Sequence, residues 1–79
     1  MDEDGVALIA PESPDGERPP DDELEVMRLI VSGLTDHAIA RRVGVSVITV
    51  RRRAARIRRR LGASTRIEAA VLAAKRGWL

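Results

Sequence analysis

The sequence predicts an all-α fold, a four-helix bundle that follows a disordered acidic N-terminal arm. Apolar residues recur at helical spacing from residue 21 to the C-terminus, and glycines separate the successive stretches. The chain has no cysteine and only one aromatic residue, so its core must be built from aliphatic side chains and alanine. Such a core suits small packed helices better than a sheet. With 79 residues, the chain has room for one small domain.

The predicted arm covers residues 1–20, which contain all four prolines and many acidic residues. This composition buries too little apolar surface to offset the entropy lost on ordering. Up to Glu25 ten acidic residues stand against one arginine, whereas from Val26 onward thirteen Lys and Arg residues stand against two acids. A basic domain behind an acidic arm is typical of a protein whose partner is a polyanion. We therefore expect a folded basic domain at residues 21–79.

The first two helices are expected on either side of Gly33. Asp21 is the expected cap of the first helix and Thr35 that of the second. Their inward side chains are expected to be Val26, Met27, Leu29, Ile30, Ile39, Ala40 and Val43. Gly44 then predicts a tight turn, and Ser46 is the expected cap of a longer third helix. A short helix, a turn with glycine and a longer helix form the helix-turn-helix pattern.

The third helix, residues 47–61, combines an apolar stripe with seven arginines. At about 100° per residue, one sector holds Val47, Val50, Ala54, Ile57 and Leu61. The opposite side presents small and cationic side chains, which predicts nucleic-acid binding because unneutralised arginines repel one another. Arg51, Arg52 and Arg56 are the candidates for guanine edges, while Arg53, Arg58, Arg59 and Arg60 are expected to touch phosphates or solvent. The candidate DNA-binding residues are Ser46, Thr49, Arg51, Arg52, Arg53, Ala55, Arg56 and Arg59.

The fourth helix, residues 66–76, begins with a capping box formed by Thr65 and Glu68. Its body is apolar nearly all round, which a surface helix of so small a domain should not be. We expect Ile67, Ala70, Val71 and Ala74 to face the core. The remaining apolar side chains would then pair with a second copy across a two-fold axis, and these are Ala69, Leu72 and Ala73.

Catalysis and metal binding are not expected. The sequence shows no nucleophile–base set, no phosphate loop and no metal cluster, so we predict no enzyme activity, no cofactor and no metal. His37 stands alone and is expected to be an exposed structural residue. Trp78 is expected to pack on the fourth helix or on its dimer mate. Apolar runs fall short of the ~20 residues that span a bilayer, so no membrane association is expected.

Six stretches of the chain, in order and spacing, resemble the LuxR-type (GerE-type) DNA-binding domain. They are ELEVMRLI at 23–30, GLT at 33–35, IARRVGVS at 39–46, TVR at 49–51, IRRRLG at 57–62 and RIEA at 66–69. The resemblance implies a four-helix domain of a cytoplasmic, nucleoid-associated bacterial transcription regulator that binds double-stranded DNA as a dimer, often through its fourth helix. By position, it places base and groove contacts on Arg51, Arg52 and Ala55, and a phosphate contact near Thr49.

The chain departs from the family pattern at several positions. Ala38 replaces a common Glu, Arg53 stands where His is frequent, and Ala55 stands where some members carry Lys. DNA affinity is therefore expected to depend on the run of arginines at 51–53, and the preferred base sequence cannot be transferred from the family.

Two other interpretations share part of the pattern. A region-4-like module of a sigma factor has the same turn sequence, although the capped fourth helix argues against it. A protein-interaction adaptor docking on the transcription machinery, RNA polymerase included, is the alternative from a different class.

Overall fold

The computed structural model describes residues 18–79, which fold into four helices and contain no strand. Helix α1 spans Asp21–Val31, α2 Asp36–Val43, α3 Val47–Arg60 and α4 Arg66–Lys75. This confirms the all-α fold, with helix limits for α3 and α4 within one residue of those predicted. The arm predicted at residues 1–20 lies, up to residue 17, outside the described residues. Packing extends back to Pro19, whose side chain is fully buried.

Helix α3 lies at the centre of the fold and contacts each of the other three helices. Its buried stripe divides the core into two clusters. The cluster shared with α1 and α4 contains Leu24, Met27, Ile57, Leu61, Ala63, Ala69, Ala70, Ala73 and Trp78. The cluster shared with α1 and α2 contains Val26, Ile39, Ala40, Val50 and Ala54. The spacing of apolar residues in α3 thus predicted correctly which side of the helix is buried.

Three of the four predicted helix caps are present. The hydroxyls of Thr35, Ser46 and Thr65 each accept a hydrogen bond from the backbone N–H three residues later, at 3.1, 3.1 and 3.0 Å. Glu68 takes part in the capping box of Thr65 in a modified form. Its carboxylate accepts from the N–H of Ser64, the residue before the cap, at 2.7 Å instead of from the N–H of Thr65.

The prediction that Asp21 caps α1 is wrong. Pro20 occupies the cap position without a side-chain hydrogen bond, and Asp21 is already the first helical residue. The carbonyl oxygen of Pro20 accepts from the N–H groups of Glu23 and Leu24, both at 3.1 Å. A proline at this position fixes φ near −60° without leaving a buried donor unpaired, because the helix has no partner for that N–H.

The turn between α2 and α3 depends on Gly44, which has φ 84°. Gly44 and Val45 both donate their N–H groups to the carbonyl oxygen of Ala40, at 2.8 and 3.0 Å. A Cβ on Gly44 would meet no atom within 4 Å, so the backbone conformation rather than crowding requires glycine here. This turn sets the direction in which α3 leaves α2, and therefore the surface that α3 presents.

The expected division of α4 into two faces is wrong, except that Ala70 is buried in the core as predicted. Ala69 and Ala73 are fully buried in the core of their own chain, and Leu72 is half-buried against the same cluster. Ile67 and Val71 lie outward instead, 63% and 49% exposed. Alanines allow the backbone of α4 to approach the rest of the bundle closely, so Ala69, Ala70 and Ala73 fill the inner face while Ile67 and Val71 are left outside. The expected dimer contacts at Ala69 and Ala73 are therefore not on the surface.

Candidate nucleic-acid interface

The outward side of α3 forms a cationic surface, which we call the outer face. Its members are Ile48, Arg51, Arg52, Ala55, Arg56 and Arg59. All are exposed except Ala55, which is half-buried between the arginines. Burial of Val50, Ala54 and Ile57 on the other side fixes the rotation of the helix, so the outer face cannot turn inward without exposing the core.

The first turn of α3 carries two hydroxyls that are linked to each other and to the outer face. Besides capping the helix, Ser46 donates its hydroxyl to Thr49 Oγ1 at 3.1 Å. Arg52 Nη2 donates to the same Thr49 oxygen at 3.4 Å. Both hydroxyls therefore lie at the N-terminus of α3, where the helix dipole attracts anions.

The three arginines of α3 that are not part of the outer face have partners within the domain, and these are Arg53, Arg58 and Arg60. Arg53 is half-buried and forms an ion pair with Asp22 of α1 at 3.5 Å. Arg58 Nη1 donates to the carbonyl oxygen of Ala63 at 3.0 Å. The structure therefore brings together the predicted DNA-binding residues of the outer face and of the first turn, but it does not bring Arg53 to that surface.

Arg60 forms an ion pair that was not predicted from the sequence. Its Nε donates to Glu23 Oε1 at 3.0 Å, and the Glu23 side chain is only 3% exposed. Arg58 and Arg60 were expected to touch phosphates or solvent, and both also have partners within the fold, although the Arg60 side chain is still 43% exposed. Glu23 lies 37 positions from Arg60 along the chain, and no local sequence signal connects them.

Asp36, in the first turn of α2, links three helices. Its Oδ1 accepts from Arg66 Nη1 at 2.8 Å, and its Oδ2 accepts from Arg51 Nε at 3.3 Å. The hydrogen bond from Arg66, together with the charges of Arg66 and Arg51, lowers the pKa of the Asp36 carboxyl, although partial burial opposes this shift. Asp36 is therefore negatively charged at neutral pH, at the edge of a cationic surface. It was not among the residues predicted from the sequence to have a role there.

Two concave surfaces adjoin the helices. A polar cleft of about 260 Å³ lies between α3 and the start of α4, lined by Arg51, Ala54, Ala55, Arg58, Ser64, Thr65 and Arg66. A larger depression of about 530 Å³, which we call the apolar groove, lies between α1 and α4 and is lined by Ile30, Val31, Ile67, Ala70, Val71, Ala74 and Leu79. The apolar groove contains the outward residues of α4 and carries no charged side chain.

Trp78 and His37 are the other two residues singled out from the sequence. Trp78 is 8% exposed within the core, as predicted, and Arg76 lies over its ring at 5.3 Å from the centroid. His37 is exposed on α2. Among residues 18–79 no group of His, Cys, Asp and Glu is arranged to hold a metal ion. No helix in that range is long and apolar enough to cross a membrane.

A helix-turn-helix whose second helix carries an exposed arginine face defines a DNA-binding domain of the transcription-regulator class. The family described as bacterial regulatory proteins, luxR family, matches residues 21–73, and the chain belongs to this family. The resemblance drawn from the sequence is thereby confirmed. No curated protein and no solved structure matches the chain.

Proposed function

We propose that this domain is a sequence-specific transcription regulator that inserts α3 into the major groove of double-stranded DNA and pairs with a second copy through α4. The observation that carries the proposal is the outer face of α3, where four exposed arginines surround the small side chain of Ala55. The major groove, about 12 Å wide, admits an α-helix of this kind.

Individual roles follow from position along α3. Arg51, Arg52 and Arg56 are proposed to contact base edges, since a guanidinium matches the O6 and N7 acceptors of guanine. Ala55 allows close approach to the groove floor and can contact a thymine methyl group. Ser46 and Thr49 are proposed to contact phosphates because they lie at the start of the helix, and Arg59 because it lies on the outer face. Arg53 leaves the proposed set because it is paired with Asp22.

Salt dependence of binding tests the electrostatic part of the proposal. Neutralising Z phosphates lowers log K by about 0.9Z per log unit of salt, so binding to DNA should weaken as the salt concentration rises. Selection of duplexes from a random pool supplies the preferred site for the measurements below. A protein that binds no DNA even at low salt would instead favour the adaptor function.

Replacing Arg52 with alanine should weaken binding to the selected site by about 1–3 kcal/mol, because a bidentate base contact is lost. Binding to random duplex should weaken much less. The measurement is the Kd on both duplexes at one fixed salt concentration. Arg28→Ala is the matched control, since it removes an exposed arginine from α1 and lowers the net charge equally. Equal losses on selected and random duplexes would contradict the assignment of Arg52 to a base.

We propose that the dimer forms through the apolar groove instead of the buried alanines. Ile67 and Val71 are exposed neighbours on α4, and pairing two copies would remove both from water. The third helices of the pair would then meet half-sites about one DNA turn apart.

Replacing both Ile67 and Val71 with serine should lower the affinity for a duplex with two half-sites by about tenfold or more, because apolar contact area between the protomers is lost. Affinity for a single half-site should be unchanged, and the double change leaves the net charge as it is. Titration of both duplexes, with sedimentation to count bound protomers, measures the difference. Undiminished binding of two protomers to the double site would show that pairing uses another surface.

A further inference from the structure

One acid of the described chain is placed in direct contact with the outer face of α3. Asp36 accepts from Arg51 Nε at 3.3 Å, and its other oxygen is held by Arg66 Nη1 at 2.8 Å. The Asp36 side chain is partly buried, whereas that of Arg51 is 61% exposed. Arg66 of α4 therefore holds the carboxylate in place, and the carboxylate in turn contacts Nε of the exposed Arg51 guanidinium.

The contact with Asp36 involves Nε of Arg51 and neither of its two terminal nitrogens. A guanidinium has five N–H donors in one plane, and the contact uses only the one on Nε. The two terminal nitrogens remain available for a bidentate contact in the same plane. A carboxylate at Nε also fixes that plane before DNA arrives, which reduces the rotamer freedom lost on binding.

We propose that Asp36 is a positioning residue for DNA recognition, holding Arg51 in the orientation that reads a base edge. This inference rests on the proposed function of α3. Asp36 also repels phosphates near Arg51, so the arginine is directed toward neutral base edges and away from the backbone. Because Arg66 keeps the carboxylate ionised and in place, Asp36 acts as a fixed support rather than as a mobile partner of Arg51.

The proposal gives Asp36→Asn two effects of opposite sign. Affinity for random duplex at low salt should rise about two- to threefold, because one negative charge next to the phosphates is removed. The ratio of selected-site to random-site affinity should fall roughly five- to tenfold, because Arg51 loses its orientation. A loss of folded protein would instead lower both affinities together, so the two readouts separate positioning from a purely structural role.

Two further variants isolate the contact with Arg51. Arg66→Gln removes the anchor of Asp36 but keeps both Asp36 and Arg51, so it should lower the specificity ratio less than Asp36→Asn does. In an Arg51→Ala background, Asp36→Asn should produce no additional loss in the ratio, as expected when two residues act through one interaction. Thermal unfolding of each variant, measured in parallel, gives the fraction folded at the temperature of the binding experiment.

The experiment measures Kd for selected and random duplexes with the wild type, Asp36→Asn, Arg66→Gln, Arg51→Ala and the Arg51/Asp36 double variant. A fall in the ratio in Asp36→Asn that is absent in the Arg51→Ala background supports the proposal. An unchanged ratio in Asp36→Asn, or a further fall when Asp36→Asn is added to Arg51→Ala, overturns it while leaving the proposed function intact. A wild type that shows no preference among duplexes overturns the proposed function, and this inference with it.

Discussion

Replacing Ile57 with alanine should destabilise the domain by about 2–5 kcal/mol, the range for large-to-small changes in a closed core. Ile57 is 0% exposed and lies with Leu24 and Met27 in the cluster that joins α3 to α1 and α4. A domain of this size holds only about 3–5 kcal/mol of net stability, so a large fraction of molecules should be unfolded near 37 °C. Urea denaturation followed by circular dichroism measures the free energy of unfolding, and DNA binding should fall although no arginine has changed.

Ile48→Ala is the matched control for that experiment. It makes the same substitution in the same helix, but Ile48 is 72% exposed on the outer face. We expect its effect on the free energy of unfolding to stay within about 0.5 kcal/mol. If the two variants lost equal stability, the rotation of α3 described here would be wrong, and the position of the exposed arginines would be wrong with it.

The rotation of α3 could be predicted because its causes are local. Apolar residues at i, i+3, i+7 and i+10 define one side of a helix without reference to the rest of the chain. The caps at Thr35, Ser46 and Thr65 are equally local, since each hydroxyl reaches an N–H group three residues away. The helix-turn-helix and its outer face therefore follow from short-range rules.

The faces of α4 could not be predicted in this way. The helix is apolar on nearly every side, so periodicity gives little information about which side is buried. The outcome depends on how closely α4 approaches its neighbours, and there the small residues Ala69 and Ala73 fit where larger ones would not. The prediction placed Ile67 and Val71 in the core and Leu72 on the pairing face, and the exposure of Ile67 and Val71 moves the proposed pairing surface to them.

The ion pairs could not be predicted either, because their partners are distant in sequence. Asp36 lies 15 residues from Arg51 and 30 from Arg66 along the chain. From the sequence, the acids at the start of α1 and α2 indicate only a favourable interaction with the helix dipole. Tertiary packing then uses them to hold selected arginines of α3: Asp22 pairs with Arg53, Glu23 with Arg60 and Asp36 with Arg51.

Replacing Arg60 with glutamine should therefore destabilise the domain by about 2–3 kcal/mol, because it leaves the buried carboxylate of Glu23 without its cation. Removing one partner of a fully buried pair costs about 3–5 kcal/mol. We expect less here because the Arg60 side chain is 43% exposed and because Glu23 lies in the first turn of α1, where the helix dipole favours a negative charge. Urea denaturation of the variant at neutral pH measures the loss.

Arg59→Gln is the control, since it removes the same charge from the adjacent, exposed position. It should leave the free energy of unfolding within about 0.5 kcal/mol of the wild type and should weaken binding to random duplex at low salt. Neighbouring arginines would thus have separate tasks, Arg60 holding α3 to α1 and Arg59 meeting DNA. The division fails if Arg60→Gln unfolds like the wild type and weakens DNA binding as Arg59→Gln does, for Arg60 would then belong to the outer face.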